Sequence, residues 1–221
     1  MKKTLVLLAA VSAVMFSSCV QEVENAVSLY NTAVALNRGY HAYSMVDSMK
    51  NAIPVFKDYK CVKVQALIMP GKTEKVKKLR SAFVDDFSYI VREYVKAAHL
   101  EDVKVCSTEN CTDCKGKMLV IQFLENGYSP NLFNKITMGG LLRGSLRYID
   151  GESGRVIREE KLEDAKNYED LLQEIAMSVG SKAAQTAITI YPDKDPQKII
   201  DEVNKVNPIK PEYRKLFEES R

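Results

Sequence analysis

Cys61, Cys106, Cys111 and Cys114 are the residues of this chain whose type and spacing could do chemistry; the fifth cysteine, Cys19, belongs to an N-terminal signal treated below. Cys106, Cys111 and Cys114 stand as C-x4-C-x2-C, which with a fourth cysteine is an iron–sulfur ligand spacing. Three arguments oppose a cluster or zinc site. Cys61 lies upstream of the trio rather than downstream, and the compartment argued for below is oxidising. Cys61 is also expected to open one strand while Cys106 nears the end of a parallel neighbour. That leaves the two at opposite ends of a sheet, beyond the about 7 Å that a disulfide spans. The spacing therefore predicts one disulfide closing the loop, Cys106–Cys114 or Cys106–Cys111, with Cys61 buried and unpaired. No metal and no cofactor is expected.

The remaining polar residues offer less. His41 and His99 have no nucleophile motif near them, and His99 ends a helix where an imidazolium is favourable. Asp85-Asp86 is read as a solvated helix face. Lys72, Lys75, Lys77, Lys78 and Arg80 form a basic patch at a helix start, against the dipole, which raises the thought of an anionic partner such as a lipid headgroup. Gly139-Gly140 and Gly144 fall in a strand and read as close packing or a bulge rather than a phosphate cradle. No dinucleotide, P-loop, serine-hydrolase or metalloprotease motif is present, and no catalytic residue is expected. The 221 residues carry 32 Lys plus Arg against 29 Asp plus Glu, so nothing points to nucleic acid.

These residues must be positioned by elements, and the N-terminus also carries an address. Met1-Lys2-Lys3 followed by the apolar run Thr4–Phe16 reads as an export signal, too short to span a bilayer comfortably. Phe16-Ser17-Ser18-Cys19 resembles the lipobox of bacterial lipoproteins. The resemblance implies cleavage before Cys19 and acylation of its thiol and new amino terminus, a palmitate-type anchor in the outer membrane of the cell envelope, periplasmic or surface-facing. Multiple acyl chains meet the requirement for stable anchoring without a further membrane segment.

We divide the chain into a signal peptide (1–18), a lipidated N-terminus and helical arm (19–58), a main domain (59–190) and a C-terminal tail (191–221). The arm repeats apolar residues at helical spacing, with Leu29, Tyr30 and Val34 the candidates for contact with a partner. In the main domain Cys61–Met69 is a strand ended by Pro70-Gly71. Thr73 caps a long helix with the stripe Leu79, Phe83, Phe87, Ile90, Val91 and Tyr94. Strands follow at Val103–Ser107, Met118–Leu124, Leu141–Ile149 and Arg155–Leu162, the last two flanking the hairpin Asp150–Gly154, and Asn167 starts a final helix. The order β-α-β-β-β-β-α predicts an α+β two-layer sandwich, a mixed five-stranded sheet with two helices on one face. In the tail Ile199, Ile200 and Val203 mark a further short helix. Because two helices already cover the sheet, these three are also read as partner-binding.

The stretch Met138-Gly139-Gly140-Leu141-Leu142-Arg143-Gly144 followed by Asp150-Gly151-Glu152-Ser153-Gly154-Arg155 resembles uncharacterised Gram-negative envelope lipoproteins. The architecture is similar to periplasmic α+β domains of lipoproteins that assist envelope machines. The resemblance implies a location and a fold, with no catalytic residue to carry over. Function is therefore expected to be non-enzymatic: a lipid-anchored module for a protein partner or for self-association. The alternative is a lipoprotein that carries a lipid or a small hydrophobic ligand, or transfers electrons through the cysteine loop.

Overall fold

The computed structural model describes residues 53–71, 73–106, 111, 114–129 and 141–218, all within one unit, Met45–Arg221. The expectations for the signal peptide, Cys19, Leu29, Tyr30, Val34, His41, Lys72 and Gly139-Gly140 lie outside the described residues. Among the described residues no helix is long and apolar enough to cross a membrane.

The elements are β1 (Cys61–Leu67), α1 (Glu74–Ala97), β2 (Lys104–Cys106), β3 (Met118–Ser129), β4 (Leu141–Asp150), β5 (Val156–Lys166), α2 (Tyr168–Ile190), α3 (Pro196–Asn204) and α4 (Pro211–Glu218). The sheet order is β2-β1-β3-β4-β5. β1 runs parallel to both β2 and β3, and β3-β4-β5 are antiparallel, which makes the five-stranded sheet mixed as expected. Strand alternation sends Val62, Val64, Leu119, Ile121, Phe123, Leu146 and Tyr148 into a core shared with the stripes of α1 and α2. The opposite face carries Lys63, Gln65, Gln122 and Arg147, partly exposed, with a Gln122–Gln65 hydrogen bond of 2.9 Å and an Arg147–Glu159 ion pair of 2.8 Å.

Local chemistry accounts for the element ends. Thr73 Oγ1 accepts from the Val76 N–H at 3.3 Å, and Asn167 Oδ1 from the Asp170 N–H at 2.8 Å, each filling an orphan donor of its helix. α1 ends in a Schellman turn: the Leu100 N–H reaches the Val95 carbonyl and the His99 N–H the Lys96 carbonyl, with His99 at φ +54 where glycine is usual. The imidazole Nε2 pairs with Glu202 of α3. At Gly144 a Cβ would stand 2.5 Å from the Phe123 ring, so the close approach expected of that glycine is present, beside a register shift between Leu142 and Gly144.

The tail departs from expectation. Ile199 and Val203 are buried in the core, Ile200 packs against it, and Ile209 and Phe217 join them, with the Phe217 ring stacked 6.2 Å from Tyr168. Ile199, Ile200 and Val203 are thus corrected from partner-binding candidates to internal packing residues. The reason lies in α2, whose buried residues, from Leu171 through Val179, Gly180, Ala183 and Ala184 to Ala187, wrap most of its circumference. A helix apolar on so many sides needs cover on its outside as well as from the sheet, and α3 supplies it. Val55 and Phe56 are likewise core, so packing of the main domain begins before residue 59.

Candidate functional site

Register places the cysteines. β2 is only three residues long, so Cys106 lies beside Lys63, and Cys61 beside Lys104. The two cysteines are two positions apart along neighbouring strands rather than at opposite ends. Since Val62 faces the helices, Cys61 and Cys106 both face the opposite side of the sheet. β3 starts beside Cys61, because Cys61 pairs with Met118. The connection leaving β2 must therefore return to the starting end of β1, and it brings Cys114 back to Cys61. The structure pairs Cys61 with Cys114, Cα atoms 6.0 Å apart, and Cys106 with Cys111 at 5.4 Å. Cys106–Cys111 is one of the two bridges expected. The unpaired Cys61 is corrected, as is its separation from the trio. All four sulfurs of the iron–sulfur spacing are thus paired with one another.

Both bonds fasten the β2–β3 connection onto the face of the sheet away from α1 and α2. Next to them an open cleft of about 400 Å³ is lined by Lys60, Asp102, Lys104, Cys114 and Lys115. Lys60 pairs with Asp102 at 3.0 Å, and the three lysines leave the cleft with a positive excess. The same end of the sheet holds the β4–β5 hairpin. Asp150 accepts from the Ser153 N–H and hydroxyl at 2.9 Å each and from the Tyr59 hydroxyl at 2.9 Å, with Lys117 at 3.3 Å. These Ser153 bonds first, then Tyr59, hold its carboxyl well below the usual carboxylate range. Burial and the Asp150 carboxylate push the Tyr59 phenol up to about 12. The Asp-x-x-Ser-Gly signature is thus a side-chain-closed turn tying the hairpin to the start of β1.

A second cluster lies where α2 crosses β4 and β5. Lys182 Nζ donates to Glu160 Oε1 at 2.5 Å and to Ser178 Oγ at 3.0 Å. Ser178 Oγ donates to Glu160 Oε2 at 2.5 Å and lies 2.8 Å from the Tyr148 hydroxyl. Burial lowers the Lys182 pKa, an effect the Glu160 carboxylate offsets only in part. Burial acts to raise the Glu160 pKa, but Lys182, the Ser178 hydroxyl and Arg158 together outweigh it and the net shift is down. A serine–lysine nucleophile needs a neutral amine to take the hydroxyl proton. Here Glu160 Oε1 accepts from Lys182 Nζ, and the Ser178 hydroxyl donates to the same carboxylate rather than to the amine. The cluster ties α2 to β4 and β5.

Three further residues depart from their sequence reading. Arg80 is buried in a two-pronged pair with Glu125, both N–O distances 3.0 Å, and Glu125 also accepts from the Met69 N–H at 2.5 Å; the basic patch loses this member. Lys77 is paired with Glu74 at 2.6 Å. Asp86 is fully buried, and burial raises its pKa to about 7, although the Lys210 N–H donates to Oδ1 at 3.2 Å. Asp85 instead takes Lys210 Nζ at 2.5 Å and the Tyr213 hydroxyl at 2.7 Å. The missed signal was position: Arg80 and Asp86 stand three or four residues from Val76, Phe83 and Ile90, on the stripe itself. Lys182 likewise interrupts the run Ile175, Val179, Ala183.

No family model matches the chain, and no curated protein matches it. Among solved structures it is similar to a dodecamer of a PelC point variant from Paraburkholderia phytofirmans, at 14% identity and a TM-score of 0.30, covering 56% of this chain and 86% of that one. A likeness at that level carries no argument about function.

Proposed function

We propose that the chain is a non-enzymatic, lipid-anchored lipoprotein of the cell envelope, held by acylated Cys19, whose α+β domain serves as a protein-interaction or assembly module. The observation that carries this reading is the filled interior. Val62, Leu119, Ile121, Phe123, Leu146 and Tyr148 of the sheet meet Leu79, Phe83, Phe87, Ile175 and Val179 of the helices, each essentially without exposure. Carriage of a lipid or small hydrophobic ligand asks for an apolar chamber in that place. The cleft beside Cys114, and a second one beside Glu160 and Lys182, are instead open, with charged side chains among those that line them. Two disulfides also suit an oxidising compartment outside the cytoplasm. With Ile199, Ile200 and Val203 used internally, the proposed contact residues are Leu29, Tyr30 and Val34 of the arm, with a protein partner or a second copy as the occupant.

Two experiments test the reading. Cys19→Ala should move the protein out of the membrane fraction or leave it unprocessed; a processed variant that stays in the membrane sinks the anchor. Changing Leu29, Tyr30 and Val34 together to Ser should abolish crosslinked complexes in intact envelopes while the thermal transition of the domain stays in place. Persistence of the complexes would remove the arm from the interface.

A further inference from the structure

The disulfide pattern contains a second pairing that the fold holds ready. Cys111 and Cys114 are spaced C-x-x-C, yet each is bonded elsewhere. The Cys114 N–H donates to the Cys111 carbonyl at 3.4 Å, an i to i+3 closure. Such a closure brings the two α-carbons within about 7 Å, the upper end of disulfide reach. Accessibility is divided in the same way. Cys61 and Cys106 are 0% and 6% exposed, while Cys111 and Cys114 are partly exposed. Cys114 opens onto the cleft where Lys104 and Lys115 stand beside the Lys60–Asp102 pair, and Lys104 is the register neighbour of Cys61 on the same face of the sheet. Cationic neighbours favour thiolates, both attacking and leaving.

We propose that these four cysteines form a thiol–disulfide exchange relay, in which an acidic dithiol protein reduces Cys106–Cys111 and the freed Cys111 then captures Cys114 from Cys61. In the first step a thiolate of the dithiol attacks Cys111 Sγ; the Cys106–Cys111 bond breaks and Cys106 leaves as a thiolate and takes up a proton. The second thiol of the reductant attacks its own sulfur in the mixed disulfide. The reductant departs as a disulfide, having given two electrons, and Cys111 is left as a thiolate. In the second step the Cys111 thiolate attacks Cys114 Sγ, Cys111–Cys114 forms, and Cys61 leaves as a thiolate beside Lys104 and is protonated by solvent. The electron count of the second step is neutral. The product has one bridge, Cys111–Cys114, and two thiols, Cys61 and Cys106, so the β2–β3 connection is no longer fastened to β1. The exchange depends on neither the lipid anchor nor the arm, so it stands or falls apart from the proposed interaction role.

The test is a titration of the oxidised protein with one equivalent of dithiothreitol, followed by alkylation and peptide mapping without reduction. The expected species carries Cys111–Cys114, with Cys61 and Cys106 alkylated. Persistence of Cys61–Cys114 with Cys106 and Cys111 alkylated overturns the relay, as does concerted loss of both bridges without the third. The variant Cys106→Ser gives a reading without any reductant. Folded by circular dichroism, it should show Cys111–Cys114 and a Cys61 thiol, and retention of Cys61–Cys114 overturns the second step. Dihydrolipoate, an anionic dithiol, should react on the order of tenfold faster than dithiothreitol at low salt, with the advantage lost at high salt. Equal salt dependence for the two overturns the acidic partner.

Discussion

The two halves of the sheet are held by different means. In the parallel half, β2 offers three residues of ladder to β1, and the connection that follows is fastened by two disulfides. In the antiparallel half, β4 and β5 run ten and eleven residues, joined by a turn that closes through Asp150 and needs no covalent help. Antiparallel strands are linked by a hairpin whose closure entropy is small, whereas parallel strands need a long return connection. The bridge Cys61–Cys114 spans 53 residues and closes that connection onto β1, while Cys106–Cys111 spans 5 and closes a local loop. Covalent bonds stand where the ladder is shortest.

Substitutions can separate the two halves. The largest effect is expected at β3, the strand both halves share. Arg80→Met leaves Glu125 buried without its partner and should cost about 3–5 kcal/mol in urea unfolding, whereas the double variant Arg80→Met/Glu125→Leu should recover most of it. Next, Cys61→Ser/Cys114→Ser should lose about 4 kcal/mol and Cys106→Ser/Cys111→Ser about 2 kcal/mol, following the lengths of the loops they close. Hydrogen exchange should show the first loss concentrated in β1 and β2, with the β4–β5 amides still protected; equal loosening of both halves would erase the difference between them.

A third effect is set by pH. The Asp86 carboxyl titrates at about 7 in the folded chain against an ordinary 3.8, so the folded state favours the protonated acid. Its contribution is fullest below pH 3.8 and falls as pH rises from about 4 to about 7, by roughly 2–4 kcal/mol at about 1.4 kcal/mol per unit. Asp86→Asn should flatten that slope in urea midpoints measured across the window. Asp85, Asp150 and Glu160, all held below their ordinary values, lose their contribution as pH falls from those ordinary values, 3.8 for the aspartates and 4.5 for Glu160, toward the lowered ones, and so touch only the acid edge of the window. The smallest effect belongs to the hairpin. Gly154 sits at φ +69 with open space where a Cβ would go, so Gly154→Ala should cost about 1 kcal/mol from the backbone alone.

What was legible in the sequence was local. Thr73 and Asn167 could be read as caps because their hydroxyl and amide serve donors three residues away. Asp150–Gly154 could be read as a turn because it closes on itself, and the alternation and 3.6-residue stripes led to the α+β sandwich. Leucine and phenylalanine stripes say which side of a helix is buried, but a charged residue on that stripe was assigned to water by its type. Asp86 was read that way, Arg80 was placed in a basic patch and Lys182 was not singled out, since their partners Lys210, Glu125 and Glu160 lie 124, 45 and 22 residues away.

Sequence alone sufficed for the five strands, for α1, α2 and α3, for the class of the sheet and for the presence of cysteines able to bond, while α4 was not read from it. Tertiary structure was needed to decide which sulfur meets which, where the tail goes and which charges are buried. The physical reason is common to all three. Cys114 reaches Cys61 because β2 stops after three residues and the return connection ends at the start of β1. Ile199 and Val203 are core because α2 is apolar on more sides than one sheet can cover. Periodicity reports on contacts within a turn or a strand pair, whereas strand order and the choice of cover depend on free energies summed over the whole packed chain.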